Sequence, residues 1–230
     1  MTSIDRTNSS VSFMRQGDKS KGIVTKNRVG IAYTTYILIA LNLLVYALEI
    51  KFGGSQNSIA LEKLGALVPE KVLAGEWWRL IGANFLHYGS FHLATNMLSL
   101  FFIGRLIELS LGAKYYLTIY LVSGIGSMLT FSLLAFQLGL NNVFLVGASA
   151  AIMGLIGAVL AISLQIWLRK RHSIVAKRRL QQVILIVAIQ FIFDNLIPQV
   201  SFHSHLFGFI IGFSISSILV FVKFKLKEVR

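Results

Sequence analysis

Residues 144–168 read FLVGASAAIMGLIGAVLAISLQIWL, 25 positions without a single charged side chain. As a helix, a stretch this long and apolar crosses the ~30 Å hydrocarbon core of a bilayer. Five more apolar segments flank it, at 28–50, 90–109 and 113–138 before it and at 182–198 and 203–222 after it. Most are close to the ~20 residues that a crossing needs. The fifth, 182–198, is shorter and carries Gln190 and Asp194, a build suited to a movable wall. Composition points the same way: 55% of the 230 residues are hydrophobic and 13% charged, too little polar surface for a soluble domain. The expected fold class is all-α, a polytopic membrane bundle of six transmembrane helices. No apolar stretch with a cleavage site precedes the first segment, so that segment reads as a retained helix rather than a signal peptide. With no cysteine, disulfides, thiolate nucleophiles and cysteine metal sites are excluded.

The net charge of +13 raises the question of nucleic acid, and the placement of the basic residues answers it. With the N-terminus inside, 18 of the 22 Lys and Arg residues fall in inner segments, among them Arg6, Arg28, Arg105, Arg169, Lys177 and Lys225. The outer side keeps Lys51, Lys63, Lys71 and Arg79. This positive-inside bias gives both termini to the cytoplasm and makes the chain a multi-pass protein of the cell membrane. Attraction to anionic lipid accounts for the basic excess, so the bilayer is the expected partner and nucleic acid is not. The domains follow: a flexible basic tail 1–27, a membrane core 28–222 with a long outer loop 51–89, and a basic tail 223–230. The loop holds Trp77 and Trp78, aromatics that settle at headgroup depth, and is expected in or on the outer leaflet.

Polar and ionisable residues inside a membrane are costly and mark function. Three clusters stand at the outer ends of spans two, four and six. The first is His87-Tyr88-Gly89-Ser90-Phe91-His92-Leu93-Ala94-Thr95-Asn96, in which His92 and Asn96, four apart, share a helix face. The second is Gly147-Ala148-Ser149-Ala150-Ala151-Ile152-Met153-Gly154, whose small residues allow another backbone close. The third is His203-Ser204-His205-Leu206-Phe207-Gly208-Phe209-Ile210-Ile211-Gly212. Gly208 and Gly212 form a packing face; His205, three and seven residues earlier, shares it, and His203 does not. His205 therefore points at the packed interior and His203 toward headgroups or water.

Serine needs an adjacent base to become a nucleophile. A histidine on a neighbouring helix supplies one at neutral pH. The oxyanion of a tetrahedral intermediate needs donors, for which the Asn96 amide, His92 and the Ser149 backbone N–H are candidates.

These residues resemble the rhomboid family of intramembrane serine proteases. The likeness covers roughly residues 30–222. It runs through Trp78-Arg79, the His87-x4-His92-x3-Asn96 pattern, Gly104-Arg105-Leu106-Ile107-Glu108, Gly147-Ala148-Ser149 and His205-Leu206-x-Gly208-x3-Gly212. The resemblance implies a dyad of Ser149 and His205 with no required acid, and His92 and Asn96 as oxyanion donors. It also implies no cofactor, and single-span transmembrane substrates cut in or beside their membrane segment. Their access is sideways, past the short fifth helix and a cap loop at 198–202. The chain departs from the family's Gly-x-Ser-Gly pattern at Ala150, whose methyl is expected to narrow the approach to the oxyanion site. That departure sets up the alternative, a catalytically weak or silent relative that binds transmembrane clients.

A metalloprotease using His87, His92, His203 and His205 lacks an H-E-x-x-H motif. A transporter predicts repeats and midplane helix breaks that the sequence does not carry. Asp194 is expected to cap or hydrate the outer end of span five, with a place in a triad the lesser reading. Glu108, Trp78 and Arg79 read as structural, Glu108 paired with a neighbouring base.

Overall fold

The computed structural model describes residues 30–140, 143–169, 173–196 and 201–228, with backbone alone at 193, 195–196 and 221–228. The expected tail 1–27 and most of the expected cap loop 198–202 lie outside the described residues. In chain order the helices are α1 Tyr33–Lys51, α2 Ser58–Leu64, α3 Pro69–Leu73 and α4 Arg79–Gly82. Then come α5 Gly89–Leu111, α6 Ala113–Leu134, α7 Ser149–Arg169, α8 Ile174–Leu196 and α9 Phe202–Glu228. Among the described residues, α1, α5, α6, α7 and the Phe202–Val220 part of α9 are long and apolar enough to cross a membrane. This is the all-α, multi-pass build expected.

Four segment boundaries differ from expectation. The fourth helix begins at Ser149, not at 144. Leu145 exchanges both backbone hydrogen bonds with Leu67, at 2.9 and 3.0 Å, which holds the chain extended there. The third ends at Leu134, ahead of a turn that closes at Gly139 with φ +68°. The fifth helix is not short: α8 runs for 23 residues, beginning beside the Lys177, Arg178 and Arg179 run. Those charges stand at one end, with Gln190 and Asp194 toward the other. The sixth continues beyond 222 to Glu228.

α7 is the centre of the bundle. Every residue from 150 to 159 is buried, and α6, α8 and α9 pack around it. The tightest seam is with α9, where Gly208 lies against the Ala150 carbonyl and Gly212 against the Gly154 carbonyl. The absence of side chains at Gly208 and Gly212 lets the backbones touch, the van der Waals mode of association available between helices in lipid. Ser127 Oγ on α6 donates to the Ser204 carbonyl at 2.6 Å and ties a third helix to this seam.

The loop 51–89 is a scaffold. Arg79 Nη1 donates to the carbonyls of Glu62 and Ala66 at 2.7 and 2.8 Å, and Nε to Glu76 at 2.6 Å. Trp77 and Trp78 stay exposed. Gly147 N–H donates to the Ala83 carbonyl at 2.8 Å, so the loop also fixes the approach to α7. Glu108 corrects an expectation: among the described residues it pairs with no base, and accepts instead from the N–H groups of Thr34 and Thr35 and from Thr35 Oγ1, at 2.8–2.9 Å. It thereby satisfies N–H groups at the start of α1 that have no partner within the helix.

Candidate active site

Ser149 is the first residue of α7 and half-buried, held at the point where extended chain turns into helix. The turn depends on Gly147, whose φ of +126° L-residues rarely adopt. A side chain is also excluded there. A Cβ on Gly147 would stand 2.9 Å from His92 Nε2 and 3.4 Å from Ser149 Oγ, so both groups crowd the same glycine.

His92 comes from the first turn of α5. Tyr88 N–H donates to its Nδ1 at 3.4 Å. A nitrogen that accepts carries no proton, so in the neutral ring the proton sits on Nε2, the atom beside Gly147. His92 thus offers a donor toward Ser149. Behind it, the ring of His87 meets the His92 ring edge-on, centroids 5.3 Å apart. His87 is fully buried, and burial, with His92 next to it, pushes its imidazole down to about 3. It is a neutral prop under His92. The His87 backbone N–H donates to Glu49 Oε1 at 3.0 Å.

Asn96, one turn further along α5, also borders the cleft but is partly spoken for. Its Nδ2 donates to the His92 carbonyl at 2.9 Å, which leaves one of the two amide hydrogens uncommitted.

His205 enters from the first turns of α9 and is 2% exposed. Its Nδ1 lies 2.8 Å from Asp194 Oδ2 on α8. This overturns the capping expectation for Asp194: the carboxylate is buried against the histidine, not at a wet helix end. Asp194 is the only acidic residue between Glu108 and Glu228, the one signal in the sequence that could have marked it. His203 keeps away from the cleft as its helical phase predicts, with its ring edge-on to Phe202.

The four side chains border one cleft of about 710 Å³. Phe91, His92, Asn96 and Phe102 line it from α5, Ser149 and Met153 from α7, Ile186, Ile189 and Gln190 from α8, and His205 from α9. Phe91, Phe102 and Ile189 are exposed, so the cleft opens sideways between α5 and α8 through an apolar mouth. Beside Ser149 and His205, a second, smaller hollow is lined by Ser201 and Ser204, a polar recess suited to water.

Ala150 does not narrow this cleft. Its side chain is fully buried in an apolar cluster with Leu67, Leu80 and Met128 and is not among those that line the cleft. The arrangement joins a serine, an imidazole held from behind and donors beside the serine, the parts that acyl transfer uses.

The Rhomboid domain family profile matches residues 74–221. The chain is 33% identical over 180 residues to Rhomboid protease GluP of Bacillus subtilis (strain 168), covering 78% of this chain and 33% of that one. It is 39% identical over 158 residues to RHOMBOID-like protein 1 of Arabidopsis thaliana, covering 68% and 38%. With Rhomboid protease AarA of Providencia stuartii it shares 33% identity over 217 residues, covering 86% and 76%. The chain thus spans 33% and 38% of the length of the first two relatives and 76% of the third.

Proposed function

Because this chain belongs to the rhomboid family, we propose that it is a serine endopeptidase cutting peptide bonds in or next to transmembrane segments of membrane proteins. The observation that carries this reading is the shared border of one laterally open cleft by Ser149, His205, His92 and Asn96.

In this reading Ser149 Oγ attacks the substrate carbonyl carbon and its proton passes to Nε2 of His205. The carbonyl oxygen takes the displaced electron pair and is met by His92 Nε2–H, the uncommitted Asn96 N–H and the Ser149 N–H. Collapse breaks the C–N bond, and the amine leaves with the proton from His205. Water from the polar recess then adds to the acyl-serine, giving its proton to His205. His205 returns a proton to Ser149 Oγ as the carboxylate product departs.

The substrates are single-span membrane proteins, which reach the cleft sideways between α5 and α8. Counting α8 with the five apolar helices gives six crossings. The positive-inside bias then sets both termini in the cytoplasm and the cleft near the outer face of the cell membrane. The silent, client-binding alternative drew on Ala150, and the burial of that methyl away from the cleft favours the active reading.

Reconstituted protein is expected to cleave a single-span reporter whose transmembrane helix is destabilised. Cleavage that persists in Ser149→Ala overturns the proposal.

A further inference from the structure

The proposed serine–histidine pair leaves one buried contact of its own base unused. Asp194 Oδ2 is 2.8 Å from His205 Nδ1, and the two side chains are 0% and 3% exposed. The other carboxylate oxygen, Oδ1, accepts Gln190 Nε2 at 2.8 Å. Both oxygens of the acid are therefore engaged, one by its own helix and one by the histidine.

A carboxylate this deep is expensive to bury without partners. It is also a strong director of an imidazole, because interactions with charge are stronger where water is excluded. An Nδ1–H held by Asp194 fixes the ring tautomer, leaves Nε2 bare, and restrains ring rotation. If that Nε2 takes the Ser149 proton, the imidazolium formed stands against a negative group, and the proton on Nδ1 need not move.

We propose that Asp194 is a positioning residue for His205, so that α8 supplies a third member to the serine–histidine pair. The catalytic part of this rests on His205 being the general base; the bond itself does not. One consequence concerns the fifth helix. Ile186, Ile189 and Gln190, which wall the cleft, sit on the same helix as Asp194. A swing of the outer end of α8 away from the bundle would disconnect the base. The helix then acts in catalysis as a strut, and substrate must reach the cleft with the outer turn of α8 in place.

The test uses the full chain in lipid nanodiscs with isotopically labelled histidine. The wild type is expected to show a strongly deshielded Nδ1 proton, assigned to His205 by its loss in His205→Gln and lost also in Asp194→Asn. With the reporter, Asp194→Asn should lower kcat by about 10²–10⁴ while KM changes little, and Asp194→Glu should restore part of kcat. A proton signal that survives in Asp194→Asn, or an unchanged kcat in that variant, overturns the proposal. The two readings fail separately. A wild type that shows the proton but cleaves nothing keeps the positioning bond and removes the protease reading. A cleaving wild type indifferent to Asp194→Asn does the reverse.

Discussion

Gly208 rests its backbone on the carbonyl of Ala150, the residue that follows Ser149. Three residues before Gly208, His205 lines the same cleft as Ser149. The separation of α7 and α9 at this point therefore also sets the separation of serine and histidine.

The glycine seam gives the first prediction. A Cβ at 208 would run into the Ala150 carbonyl oxygen and come within 2.9 Å of its carbon, atoms of a backbone that cannot turn aside. Overpacking of this kind costs about 1–3 kcal/mol. Gly208→Ala should lower the thermal unfolding midpoint in detergent and reduce reporter cleavage together. Gly126→Ala, where the Cβ would meet the flexible end of Ile211 at 3.1 Å, should do much less.

Ala150→Gly tests where the methyl at 150 points. Were it a wall of the oxyanion site, removing it would raise activity. Packed instead among Leu67, Leu80 and Met128, it stabilises the start of α7. Its loss should cost about 1 kcal/mol in helix propensity, with a small packing loss added. The expected outcome is a lower unfolding midpoint with no gain in kcat, measured on the same preparations.

Asn96 is already bonded to the His92 carbonyl through one hydrogen, so in the proposed reaction it has a single N–H to give an oxyanion. Loss of one such donor typically lowers kcat by about 10²–10³. Asn96→Ala should show that loss in kcat with KM little changed, in steady-state cleavage of the reporter. An equal rise in KM at constant kcat would instead identify Asn96 as a ground-state contact.

Much of this architecture could be read from the chain. Runs such as 144–168 identify themselves as membrane helices because lipid tolerates few other compositions. The i, i+4 pairing of His92 with Asn96, and the phase that His205 shares with Gly208, follow from helical periodicity alone. Other features depend on contacts between segments distant in sequence. Helix α7 starts at Ser149 because Leu145 pairs with Leu67, 78 residues earlier, which no local pattern announces. The side of α7 that Ala150 faces depends on that same start. Asp194 reaches His205 only through the mutual placement of α8 and α9, so its sequence position by itself resembled a helix end. Glu108 was readable as a buried acid but not as the acceptor for Thr34 and Thr35, since carboxylates bond backbone N–H groups as readily as bases.

The central claim is that Ser149 is an activated nucleophile, and labelling tests it without knowledge of any substrate. A serine-directed fluorophosphonate incubated with the reconstituted protein should attach covalently to the peptide containing Ser149, as read by mass spectrometry. Ser149→Ala should abolish that label and His205→Ala should nearly abolish it. A fully folded wild type that takes up no label, or label that remains undiminished in His205→Ala, would contradict the account.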